Sequence, residues 1–216
     1  MDKHQTVWNE KAAKKIIEHL SRRRMEGSYA ATADQARDEI LAMIPEQAVV
    51  ARAGSMSAAG IGLWEKLSER SDVRVLNHSQ PGISPEEALA LRRQGLSADV
   101  MIASTNAITL DGRLVNLDGI GNRVAGMIFG PKKVILVVGM NKVASNLDAA
   151  MERVKHYAAP VNATRLNAKV PCVETGVCSD CHSPQRLCNV WTIIDGQSAT
   201  LAGRIHVKLV GADLGY

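Results

Sequence analysis

The run Lys-Val-Ile-Leu-Val-Val-Gly at 133–139 constrains the fold most. A strand apolar on both faces must be covered on both faces, which is the situation of a central parallel strand rather than of a half-solvated antiparallel one. Three further short apolar runs precede it, at 48–54, 73–78 and 98–104, and a last one lies at His206 to Val210. Between them stand segments of helical period: AAGIGLWEKLSER, then EEALALRRQGL behind a capping box of Ser84 and Glu87, and LDAAMERVKHYAA at 147–159. Alternation of this kind predicts an α/β fold, a Rossmann-like, mostly parallel sheet flanked by helices.

Two segments depart from that rhythm. Residues 1–45 read as two helices, 8–25 ended by Gly27 and a second capped by Thr32 and stopped before Pro45; they are expected to form an N-terminal helical cover. Residues 106–118 alternate around Asp111-Gly112, a hairpin signature. The α/β core is expected over 46–168. Residues 169–216 form a C-terminal cysteine loop and closing strand belonging to the same domain.

Composition narrows the function. The chain of 216 residues carries a net charge of +4 with both signs interspersed and only 3% aromatic residues, a poor endowment for a nucleic-acid groove with stacking platforms. Its charged first residues lack the apolar core of a secretory signal. No run approaches the ~18 apolar residues of a membrane span. A cytoplasmic protein is expected, with no nucleic-acid and no membrane partner.

All four cysteines, Cys172, Cys178, Cys181 and Cys188, fall in C-x5-C-x2-C-x6-C. Thiols serving as small core residues scatter along a chain, and structural disulfides are rare in the cytosol. The spacing points to one metal centre, a 4Fe–4S cluster, with zinc as the alternative; all-cysteine zinc sites commonly show two C-x2-C pairs, and only Cys178 and Cys181 form one here.

Three polar loops should fall at the carboxyl ends of parallel strands, where open α/β sheets bind ligands. They supply Gly54 and Ser55, then Thr105 and Asn106, then Asn141; a glycine turn adds Gly119, Gly121, Asn122 and Arg123. Arg123 is the best candidate for holding a carboxylate or phosphate. Each residue also has a structural reading: Gly54 ends a strand, Ser55 caps a helix, Asn106 bonds a turn. Together they predict a pocket for a small anionic metabolite. No nucleophile–base set is recognisable. Asp118 is a candidate for acid–base work, whereas Asp111 is explained by its turn.

The stretch ASTNAITLDGRLVNLDGIGNRVAGMIFGPKKVILVVGMNKV resembles the core of the LUD domain, the lactate utilization domain. The downstream AAPVNATRLNAKVPCVETGVCSDCHSPQRLCN and the closing LVGADLGY are similar to a short, cysteine-tailed subgroup of that family. The resemblance implies a fold like that of the sugar-phosphate isomerases and CoA transferases. It also implies a link to bacterial lactate or organic-acid utilization, as a redox or accessory subunit carrying the cluster. Iron–sulfur or flavin redox proteins, or a second copy of the chain, are then the expected partners. The alternative is a small-molecule enzyme acting on sugar phosphates, acyl compounds or hydroxy acids, with the metal as a structural staple.

Overall fold

The structure, a computed structural model, describes residues 2–216. The chain begins with α1 (Lys3–Arg22), β1 (Glu26–Ala30), α2 (Ala33–Ala42), β2 (Val49–Arg52), α3 (Met56–Gly60), α4 (Leu63–Ser68), β3 (Arg74–Leu76) and α5 (Pro85–Gln94). It continues through β4 (Val100–Ala103), β5 (Ala107–Thr109), β6 (Leu114–Asp118), α6 (Asn122–Ile128), β7 (Lys133–Gly139) and β8 (Val143–Ala144). Then follow α7 (Leu147–Arg153), α8 (Ala159–Arg165), α9 (Pro171–Thr175), β9 (Val190–Ile194) and β10 (Ile205–Val210).

Six strands form the main sheet in the order β1-β10-β7-β4-β2-β3, with every neighbouring pair parallel. The run at 133–139 is an interior strand, as its two apolar faces require. Val134, Leu136 and Val138 pack with Ala13, Ile16 and Leu20 of α1. Ile135 and Val137 face the other way, onto Ile40 of α2 and Leu63 and Trp64 of α4. Each such buried aliphatic side chain contributes about 1.5–3 kcal/mol.

A second sheet, β8-β5-β6-β9, sits against the α1 side through Ile108, Leu114 and Ile194. Its hairpin turns at Asp111-Gly112, as predicted, with Gly112 at φ +83°. The segment of helical period at 147–159 runs through α7, one wide π turn at Val154–Ala158, and α8. The wide turn comes just before Pro160, whose ring would clash with the carbonyl four residues back in a regular α-helix.

Three elements differ from the sequence expectation. Residues 1–45 are more than a cover, because β1 pairs in parallel with β10 and completes the main sheet. Gly27 therefore lies inside a strand instead of ending a helix; a Cβ there would come 2.8 Å from Leu20 Cδ1, so its bareness lets α1 pack on β1. The segment AAGIGLWEKLSER is two helices, broken where Gly62 takes φ +68°. The cysteine loop leads into β9, an edge strand of the second sheet that the sequence reading left unassigned.

Candidate functional site

The carboxyl ends of β2, β4 and β7 open together into a pocket of about 310 Å³. Gly54 and Ser55, Ser104 to Asn106, and Lys142 form its floor. Asp118, Gly119, Asn122 and Arg123 form one wall; His78, Arg92, Asn162 and Arg165 stand around the rim.

Most of the polar residues picked out from the sequence spend their hydrogen bonds building this pocket. Arg123 is the main cross-link. Its Nη1 donates to the Ser104 carbonyl (2.8 Å) and Asn116 Oδ1 (2.7 Å). Its Nη2 donates to Asn106 Oδ1 (2.9 Å) and the Leu117 carbonyl (3.1 Å). Four of the five guanidinium N–H donors are thereby turned inward, so Arg123 lends the pocket charge more than an open fork. Asn106 Oδ1 also accepts from Leu117 N at 3.0 Å, and Thr105 Oγ1 donates to the Ala107 carbonyl at 2.9 Å. Ser55 caps α3 by accepting from Ala58 N at 3.1 Å.

Asp118 accepts from Gly119 N (2.9 Å) and Val124 N (3.2 Å), which fixes the start of α6. Both its oxygens are thus held by backbone. Gly121 takes φ +92° before α6 and is not a pocket wall. Asn141 also lies elsewhere: its amide spans Leu214 N (3.1 Å) and the Gly215 carbonyl (3.3 Å), pinning the tail across the sheet edge. Asp111 pairs with Arg23 at 3.1 Å, outside the pocket lining.

Lys142, which the sequence reading passed over, is the centre of the floor. It ends a short 3-10 turn directly after β7 and is 3% exposed. Its Nζ donates to Ser57 Oγ (2.8 Å), Ser104 Oγ (3.0 Å) and the Thr105 carbonyl (3.4 Å). Among the described residues no carboxylate pairs with it. Burial, with Arg153 and Arg123 adding repulsion, pushes its pKa down to about 7. Arg153 of α7 is a second cross-link that the sequence did not disclose, donating to the Asn106 (2.7 Å) and Asn141 (3.2 Å) carbonyls. A lysine three residues past a buried strand, in a loop with no acidic neighbour, was the available signal.

The cysteine loop backs onto the pocket. Cys172, Cys178, Cys181 and Cys188 are free thiols and together line one cavity of about 30 Å³ beside α8. Burial, then the neighbouring thiols, pushes the Cys172 thiol up; burial also raises Cys188, against the pull of Arg186. Cys181 is pushed down by hydrogen bonds from Ser183. Arg186 ties the loop, donating to the Cys181 carbonyl, the Cys188 carbonyl (3.0 Å) and Asp180 (2.9 Å). Among the described residues no three His, Cys, Asp or Glu side chains are assembled around a single ion position. Four thiols on one cavity are nonetheless a donor set suited to a cluster or to zinc. Asn189 joins loop to pocket wall, donating from N to the Asp118 carbonyl (2.9 Å) and from Nδ2 to the Gly119 carbonyl (3.1 Å).

Fold and site define an open, parallel α/β domain with a polar, cation-rich pocket at the carboxyl edge of its sheet. The LUD domain profile matches residues 13–210, and the chain belongs to the LUD domain family. Among solved structures it is similar to a DUF162 family protein from Deinococcus radiodurans, with 14% identity, a TM-score of 0.51, and coverage of 94% of this chain and 97% of that one. That likeness concerns the fold. No curated protein matches the chain in sequence. Among the described residues no helix is long and apolar enough to cross a membrane.

Proposed function

We propose that this LUD-family protein binds a small organic anion of the hydroxy- or oxo-acid class in the pocket at the sheet edge, as part of bacterial lactate or related organic-acid utilization. The observation that carries the reading is the charge of the lining. Arg92, Arg123 and Arg165 face the cavity against one acidic side chain, Asp118, and Lys142 adds a further positive charge only below about pH 7. Among the described residues no hydrogen bond or ion pair holds the Arg92 guanidinium, so its donors can turn to a ligand. The cysteine loop holds a 4Fe–4S cluster in this reading, and the free thiols of all four cysteines on one cavity support it. Such a cluster takes up and releases single electrons, which suits an accessory subunit serving an iron–sulfur or flavin protein. Zinc in its place would staple the loop against the pocket wall.

Calorimetric titration of the full chain with lactate, pyruvate and a sugar phosphate tests the binding reading. One of these anions should bind, and Arg92→Ala should weaken it about tenfold, the loss of one charge-assisted hydrogen bond. No binding of any of the three at millimolar concentration would remove the proposal. Iron and acid-labile sulfide on protein isolated without oxygen decide between cluster and zinc.

A further inference from the structure

The floor of the pocket holds a hydrogen-bonded set that anion binding alone does not require. Ser104 Oγ lies 3.0 Å from Lys142 Nζ, and Ser57 Oγ lies 2.8 Å from the same nitrogen. The two hydroxyls are 3.3 Å apart. Ser57 is fully buried and anchored by donating to the Leu214 carbonyl at 3.1 Å. Ser104 and Lys142 line the pocket, whereas Ser57 lies behind them. The order from the cavity inward is hydroxyl, amine, buried hydroxyl, carbonyl.

We propose that Ser104 is a nucleophile, that Lys142 is its general base and that Ser57 positions the amine, so that the pocket accepts an activated acyl compound carrying a negative charge, an ester or thioester. This rests on the anion-pocket reading above. A nucleophile in hydrogen-bond reach of a base, with the base oriented by a third group, is the general geometry of activated serine catalysis.

The surroundings favour the neutral amine. The groups facing Lys142 are Arg153 from α7, Arg123 from α6, the two serines and the Thr105 carbonyl; none is a carboxylate. A purely structural lysine in such a place would carry an uncompensated charge. The neutral amine has a lone pair, and Ser104 needs only to turn its proton from the Thr105 carbonyl, 3.1 Å away, to reach it.

The step is balanced. Ser104 Oγ bonds to the acyl carbon while its proton passes to Lys142 Nζ. The carbon–sulfur or carbon–oxygen bond to the leaving group breaks, and the leaving thiolate or alkoxide takes the proton back from Lys142. Water, giving a proton to the same amine, then attacks the Ser104 ester; the bond from the acyl carbon to Ser104 Oγ breaks, Oγ takes that proton back from Lys142, and the acid leaves as its carboxylate with its remaining proton passing to solvent. Nothing is oxidised or reduced.

The test uses the full chain and the mono-p-nitrophenyl ester of succinate, an activated ester with one free carboxylate. The expected result is a burst of p-nitrophenolate, with succinyl found on Ser104 by peptide mass analysis of the acid-quenched wild-type protein. The burst rate should rise with pH about a midpoint near 7, the value at which Lys142 loses its proton. Lys142→Met should slow it about a hundredfold. Ser57→Ala should move the midpoint while acylation stays on Ser104, a change that a merely structural residue would not produce. Because the labelled residue is identified on the wild-type chain, the test does not depend on a variant folding. Succinyl on Lys142 or elsewhere, or no acyl-protein, overturns the proposal. If anions bind by calorimetry and Ser104 stays unmodified, acyl transfer falls and the pocket reading stands; if neither occurs, both fall.

Discussion

Replacing Lys142 by Met should change how stability depends on pH. In the folded protein the amine titrates at about 7 against an ordinary 10.5, chiefly through burial, with Arg153 and Arg123 contributing. Between these two values the unfolded chain binds a proton that the folded chain does not, so stability rises with pH across that window; below about 7 the full cost of the buried charge applies. At about 1.4 kcal/mol per pH unit, that cost is on the order of 5 kcal/mol. Between about pH 6 and pH 9 the wild type should regain roughly 2–3 kcal/mol of it. The Met variant has no such proton to lose. Urea unfolding of both proteins at several pH values across this range reads the difference directly, through midpoints at constant slope. The variant's stability relative to wild type should be most favourable at acidic pH and fall by roughly 2–3 kcal/mol toward pH 9. A difference flat to within about 0.5 kcal/mol would mean that Lys142 keeps its proton in the folded state and would refute the reasoning.

Arg123→Ala removes four buried hydrogen bonds that tie α6 to the β4–β5 loop and to β6 and should cost about 3–5 kcal/mol by urea unfolding; a loss under about 1 kcal/mol would show these elements to be held by other contacts. Gly130→Ala should cost at least about 2 kcal/mol, since the residue sits at φ +138° with a Cβ position 2.6 Å from the Leu96 carbonyl oxygen. Gly54→Ala, which meets nothing within 4 Å, should shift the thermal midpoint little and serves as the control. Cys172→Ser should remove most iron and acid-labile sulfide from anaerobically isolated protein; retention of both would exclude Cys172 as a ligand.

The α/β class was legible because β7 and its flanking helices carry their environment in their own pattern: a doubly buried strand is apolar throughout, and Ser84 with Glu87 does form the reciprocal cap the spacing predicted. The edge strand β1, EGSYA, was not legible, since a strand at a sheet margin needs no apolar alternation and its glycine imitates a helix stop. β9 was hidden for a related reason, its burial alternating weakly at the margin of the second sheet. At the site, the sequence named the loops and misjudged the ranking inside them. Arg123 reads as a ligand fork, but its acceptors lie up to 19 residues away in the chain and only the fold brings them to it. Lys142 has no assigned role in the sequence until Ser57 and Ser104, 85 and 38 residues distant, are placed over its nitrogen. Burial of a single long side chain leaves no periodic trace.

The pairing of β1 with β10 has a bearing on how the chain is made. During synthesis from the amino terminus, α1 and β1 emerge first, yet β1's only neighbour in the sheet, β10, lies some 180 residues later, as the contact between Glu26 and His206 records. β7 likewise lacks one flank until β10 arrives. A nascent chain arrested before residue 205 therefore exposes two unsatisfied strand margins, one of them the most apolar in the molecule. Such a topology predicts slow, post-translational completion of the sheet and a dependence on chaperones that hold the unfinished edge. The pocket residues that follow β4 and β7 are synthesised well before the last strand makes them rigid.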